Sequence, residues 1–133
     1  MSLSSEIELI ENYIELEKLR YDDRLQVHFK NELKQDGEIA PLILLSLVEN
    51  AFKHGAGEDS GSPKIDICLE NSESTFKFVI SNSVAIAEER TERTPIGLKN
   101  IKKQLNLIYP ERFELQIDNC PTVFKVTVSI QHQ

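Results

Sequence analysis

The chain has 133 residues, 40% of them hydrophobic, and a formal net charge of −7. That length gives room for one domain with an ordinary core and is too short for two. The acidic balance argues against a nucleic-acid binder, whose footprint is a basic patch or stripe, and the longest apolar run, Ile39 to Val48 broken only by Ser46, is about half of the roughly 20 residues that a membrane-spanning helix needs.

In chain order, residues 4–20 read as an amphipathic helix: Ser4 and Ser5 offer caps, Ile7, Ile10, Ile14, Leu16 and Leu19 recur near helical spacing, and Glu6, Glu8, Glu11, Glu15 and Glu17 make a wet face. Leu25, Val27 and Phe29 alternate with Gln26, His28 and Lys30, the mark of a half-buried strand. Asp36-Gly37 marks a turn, and Pro41 at a first helical position opens an apolar helix that ends on Asn50, Lys53 and His54. The glycines and serines of residues 55–63 predict a polar loop.

Two strands follow, carried by Ile65, Ile67 and Leu69 and by Phe76, Phe78 and Ile80, with a hairpin turn at residues 71–74. Residues 83–96 have neither period and hold several Glu and Arg, which predicts a mobile loop. Gly97 to Tyr109 reads as a helix with Leu98, Ile101, Leu105 and Ile108 on one side and Lys99, Lys102 and Lys103 mostly on another, stopped by Pro110. Phe113, Leu115 and Ile117, then Phe124, Val126, Val128 and Ile130, predict a closing antiparallel pair. The sum is an α+β fold: a two-layer α/β sandwich, helices on one face of a mixed, mostly antiparallel sheet. The other sheet face is expected to need cover or a partner. Cys68 and Cys120 lie far apart with no metal-site spacing, so a reducing cytoplasmic setting is the default.

Chemistry concentrates at two places. Asn50, Lys53 and His54 stand at i, i+3 and i+4, neighbours on one helix face, which puts an amide oxygen able to bind a metal ion beside two groups able to meet phosphate. Glu49 lies about 100° around the helix from Asn50 and is four residues before Lys53, a spacing suited to an ion pair. Gly97 stands where a helix opens, and helix N-terminal N–H groups receive phosphate oxygens. The lysines of the second helix, with Lys53 and His54, read on charge alone first as a solvated helix face and second as a basic pocket for a phosphorylated ligand in an acidic domain.

The run Glu49-Asn50-Ala51-Phe52-Lys53-His54-Gly55 resembles the N box of the GHKL ATPase superfamily, in the form found in LytS-like sensor histidine kinases. Ile96-Gly97-Leu98-Lys99-Asn100-Ile101 resembles the G2 box of histidine kinases, with Pro95 where the family has its first glycine. Glu11 to Tyr21 looks like the segment that joins the phospho-acceptor helix to the ATPase domain. The resemblance implies the Bergerat (GHKL) fold, with residues 1–22 as a linker helix from a dimerisation and phospho-acceptor region and residues 23–133 as the catalytic domain. It implies ATP and Mg²⁺ as cofactors, with Asn50 on the metal and Asn50, Lys53, His54, Asn82, Gly97, Leu98 and Asn100 at the nucleotide. Glu49 is the one candidate for a catalytic role.

Two departures carry consequences. Hydrolysing relatives place a water-activating Glu four residues before the Asn, and here that position is Ser46, so transfer of the phosphoryl group to a histidine supplied elsewhere is expected over hydrolysis. The family's adenine-contacting Asp maps onto Asn82, followed by Ser83-Val84-Ala85 without glycine, which predicts weak nucleotide binding. The partners implied are the dimerisation and phospho-acceptor helices of a parent kinase, a response regulator and a second copy in a homodimer, with no nucleic acid. The chain is expected to be a cytoplasmic domain of a membrane-anchored parent and not to autophosphorylate alone. The alternative is a degenerate domain of the same fold acting as a dimerisation or interaction module, for which Asn82, Val84 and Pro95 speak.

Overall fold

A computed structural model describes residues 2–21, 24–53, 63–83, 96–120 and 122–131. Its elements run α1 (Leu3–Tyr21), β1 (Gln26–Glu32), α2 (Ile43–Ala51), β2 (Lys64–Asn71), β3 (Thr75–Ser83), α3 (Ile96–Ile108), β4 (Phe113–Asn119) and β5 (Val123–Gln131). The strands form one sheet in the order β1-β2-β3-β5-β4, β1 parallel to β2 and every other pair antiparallel. Of the loops expected at residues 55–63 and 83–96, residues 55–62 and 84–95 lie outside the described residues.

Period-two alternation decides which sheet face is dry. Phe29, Ile67, Ile80, Val126 and Ile117 stand side by side across all five strands, and this row with its neighbours Ile65, Leu69, Phe78 and Val128 meets the helices. The next row on the opposite face reads Lys30, Cys68, Val79, Thr127 and Gln116. On that face Glu70 stands across from Lys77 and Asp118 across from Lys125, opposite charges at the cross-strand spacing that favours pairing. The expectation that this face needs a cover is therefore corrected: it is polar and meets water, as one face of an antiparallel sheet commonly does.

Helix α1 belongs to the core through Leu3, Ile7, Ile10 and Ile14, a stripe at i, i+4, i+7 and i+11. At about 100° per residue Leu16 and Leu19 fall on the far side, and they are 67% and 79% exposed, so the sequence reading that placed them on the apolar face is corrected. Glu6, read as part of the wet face, is instead wholly buried. The cap also differs from expectation: the Ser5 N–H donates to Ser2 Oγ at 3.2 Å, while the Ser4 N–H and hydroxyl donate to the Asp36 carboxylate at 3.1 and 2.9 Å. Hydrogen bonds from the Gly37 N–H and from Ser4 hold the Asp36 carboxyl below its ordinary range.

Pro41 does not open α2. The helix begins at Ile43, after Leu42 turns through the left-handed region at φ 64°, and Pro41 sits exposed in the preceding turn. No side chain of its own caps α2. Its first N–H groups go to Glu6: those of Leu44 and Leu45 donate to Oε1 at 3.0 and 3.2 Å, and that of Leu42 donates to Oε2 at 3.0 Å. One further tie sets the helical layer, and another holds the chain leaving β1 to the end of β2. The Ala40 N–H donates to the Tyr109 hydroxyl at 2.9 Å, and Asn71 accepts from the Lys34 N–H at 2.9 Å while donating to the Gln35 carbonyl at 2.8 Å.

After α3 the chain reverses at Tyr109-Pro110-Glu111-Arg112, closed by the Arg112 N–H on the Tyr109 carbonyl at 3.0 Å. Glu111 follows the proline at φ 62°, the turn position where glycine is preferred. A left-handed non-glycine residue costs about 1–2 kcal/mol, and the added freedom of an unfolded glycine takes back roughly half of that. Glu111→Gly is therefore expected to stabilise the fold by about 0.5–1 kcal/mol, read as a higher urea midpoint at unchanged m; a lower midpoint would show that the turn is not strained.

Candidate functional site

Helix α2 is two-faced. Leu44, Leu47, Val48 and Ala51 seat it in the core, which leaves Ser46, Glu49, Asn50 and Lys53 along another edge. Helix α3 is fastened by Leu98, Ile101 and Leu105, which turns Asn100 and Gln104, one turn apart, toward α2. Between the two edges lies a cleft of about 300 Å³ lined by Ser46, Glu49, Asn50 and Lys53 from one side and Asn100, Ile101 and Gln104 from the other. That is the small end of the range for small-molecule sites. Wider hollows occur at the β2–β3 hairpin, about 710 Å³, and beside the start of α1, about 390 Å³, but neither gathers residues from the two sequence motifs.

The fold thus brings Glu49, Asn50 and Lys53 together with Asn100. Gly97 is the second residue of α3, and Leu98 is wholly buried in the core. Asn82 lies on the core face of β3, 4% exposed, donating from Nδ2 to the Ser83 carbonyl at 3.2 Å; it does not line the cleft. His54 is outside the described residues. Of the two readings of the lysine cluster the solvated face holds: Lys99, Lys102 and Lys103 are exposed and do not line the cleft, so among the described residues Lys53 is its one cation. Gln104, which belongs to neither motif, joins the cleft one turn beyond Asn100.

Chemically the cleft is a set of neutral oxygen donors, three side-chain amides and a hydroxyl, with one carboxylate and one ammonium. Such hard donors suit a divalent cation that keeps waters and phosphate oxygens in its coordination sphere. No group of three or more His, Cys, Asp or Glu able to hold a metal occurs among the described residues, so the donor set fits a cation arriving with a phosphate ligand better than a protein-built metal cage. The ion pair expected between Glu49 and Lys53 is not found. Phe52 and Lys53 follow α2 as a short π-type turn.

Glu49 and Lys53 also border a second cleft, about 330 Å³, on the α1 side, where Tyr13, Glu17 and Arg20 face Phe52. The Tyr13 and Phe52 rings meet edge to face, centroids 5.4 Å apart and planes at 80°. Burial, then the carboxylates of Glu17 and Glu49, push the Tyr13 phenol from 10.0 to about 12. A raised value keeps the proton on the folded form longer, so its contribution to stability is complete below pH 10 and is lost as pH rises through about 12. In a rapid alkaline pH-jump followed by tyrosinate absorbance, an ionisation step near pH 12 is expected and Tyr13→Phe is expected to remove it; a trace unchanged by Tyr13→Phe would contradict the buried placement.

No family model matches the sequence. The chain is 28% identical over 115 residues to the sensor histidine kinase BtsS of Escherichia coli strain K12, covering 85% of this chain and 20% of that protein. It is 26% identical over 145 residues to the sensor protein LytS of Streptococcus mutans, covering 100% of this chain and 25% of that protein. The chain therefore spans a quarter or less of the length of these relatives. Among solved structures, the histidine kinase ThkA in complex with the response regulator protein TrrA superposes with a TM-score of 0.71 at 18% identity, covering 100% of this chain and 42% of that one. The isolated ThkA catalytic domain gives 0.68 at 16% identity, covering 98% of this chain and 94% of that one. The chain is thus similar in sequence to sensor histidine kinases, LytS among them, and it has the fold of histidine kinase catalytic domains, the GHKL fold.

Proposed function

We propose that the α2–α3 cleft holds the phosphates of Mg-ATP, and that the chain presents the γ-phosphoryl group to a histidine carried by another segment of a parent sensor kinase. The observation that carries this reading is the meeting of Asn50 and Lys53 with Asn100 across one cleft, from motifs distant in sequence. Asn50 would hold Mg²⁺ through its amide oxygen, and Lys53 would offset phosphate charge. Bound magnesium supplies charge neutralisation on the phosphates; the chain's own residues bind and orient, the main work of phosphoryl transfer. Asn82, at the end of β3 beneath the helices, would take the adenine amino group as an uncharged acceptor. Ser46 in the cleft has no basicity to activate water, which suits transfer over hydrolysis.

The partners follow from the same reading. Leu16 and Leu19 on the outer side of α1 offer an apolar face to the dimerisation and phospho-acceptor helices of a homodimeric parent, and a response regulator would take the phosphoryl group onward. No helix of the described residues is long and apolar enough to cross a membrane, so this domain would lie in the cytoplasm beside a membrane-anchored remainder.

Calorimetric titration tests the proposal. Binding of ATP or ADP is expected only with magnesium, and Asn50→Ala is expected to weaken it at least tenfold, about 1.4 kcal/mol or more, while leaving the thermal midpoint nearly unchanged because Asn50 is only half-buried. Absence of binding at millimolar nucleotide would overturn the reading in favour of an interaction module.

A further inference from the structure

We propose that Glu6 is a positioning residue for the nucleotide site: it fixes the start of α2, and through it the placement of Asn50 and Lys53 at the far end. The proposal rests on the reading of the α2–α3 cleft as a nucleotide site. Glu6 has no exposed surface, and its carboxylate accepts the N–H groups of Leu42, Leu44 and Leu45. These are donors that a helix start leaves without an internal partner, and α2 has no side chain of its own to take them. Donors converging on one carboxylate fix a helix in position as well as in direction, since sliding or rotating α2 by a fraction of its pitch breaks more than one bond.

The same helix grips α2 at its other end. Tyr13 meets Phe52 edge to face at 5.4 Å. From Glu6 to Tyr13 is about 10 Å along α1, and from Leu44 to Phe52 about 12 Å along α2, at 1.5 Å per residue. The two helices therefore run alongside one another in the same direction, joined at both ends by side chains of α1. Asn50 and Lys53 stand beside the second joint, and Glu49 and Lys53 border the clefts on both sides of α2. A shift of α1 would pass to the phosphate-facing edge of α2 through these two contacts, with Glu6 as the directional one.

The test uses the whole chain under conditions where every variant is folded, with Mg-ATP as titrant. Glu6→Gln keeps the shape but turns an NH₂ toward one of the N–H groups it must accept. It is expected to weaken Mg-ATP binding about tenfold, within the range by which residues outside a site modulate it. Asn71→Ala, which removes two hydrogen bonds distant from α2, supplies a variant of reduced stability and is expected to bind as the parent does. In the Asn50→Ala background the effect of Glu6→Gln is expected to shrink, because the part of a positioning role that acts through Asn50 is then gone, whereas a merely structural effect would persist in full. If Glu6→Gln does not fold, Glu6→Asp takes its place, keeping the charge and shortening the reach, with the same expectations. Unchanged Mg-ATP binding in the Glu6 variant, a loss matched by Asn71→Ala, or failure of both Glu6 variants to fold would overturn the proposal. Absence of binding in the parent chain itself would overturn the nucleotide-site reading and this one with it, so the two failures are distinguishable.

Discussion

The helical layer hangs on one buried carboxylate. Moving Glu6 out of water is costly unless its oxygens find donors, and a helix start is the place in a protein where unpaired donors and a favourable dipole coincide. Each side solves the other's problem: α2 lacks a capping side chain and Glu6 lacks solvent. The arrangement is also demanding, since the carboxylate is satisfied only if α1 and α2 lie in one relation. Leu42 turns through φ 64° ahead of that contact, and its N–H is among the three that Glu6 accepts, so local backbone strain and the buried charge occur at the same joint.

With α1 and α2 locked, the rest of the layer follows from packing. The Tyr109 hydroxyl takes the Ala40 N–H, which brings the end of α3 to the segment entering α2 and sets the cleft between the two helices. The sheet serves as a floor. Its apolar row, Phe29 to Ile117, spans every strand, while the reverse face meets water. A site between helices above a one-sided sheet can vary its polar edge without disturbing the core, because Ser46, Asn50, Asn100 and Gln104 hold no place in the buried cluster.

What was legible in the sequence was what periodicity encodes. Each strand showed itself by alternation, since a sheet with one dry face writes its burial pattern directly into residue order, and α3 showed itself by its apolar stripe. The misreadings share a cause. Leu16 and Leu19 join the apolar residues of α1 by spacing, which does not tell which of two stripes meets the sheet; the stripe that begins at Leu3 does. Glu6 was assigned to water because its justification lies in donors 36 to 39 residues away. Pro41 looked like a helix start on local rules, and a tertiary cap moved the start to Ile43. At the site, Asn50, Lys53 and Asn100 were legible from motif resemblance, whereas Gln104 belongs to no motif and becomes visible only when α3 is set against α2.

The composition of the cleft bears on what the domain is built to do. Three amides, a hydroxyl, one carboxylate and one ammonium would suit an anion–cation pair such as a metal-phosphate without offering it a strong base. Glu49 is the one carboxylate there, and it lies on the ridge between the two clefts, nearer in sequence to the α1-side aromatic contact at Phe52 than to Asn100. On the proposed reading this arrangement separates tasks. The α3 side of the ridge orients phosphates with groups that do not react, and the α1 side, flanked by Tyr13, Glu17 and Arg20, is where an incoming segment would meet them. On that reading such a domain would take its nucleophile from another polypeptide segment, and the hold of Glu6 on α2 would matter most at the moment that segment arrives.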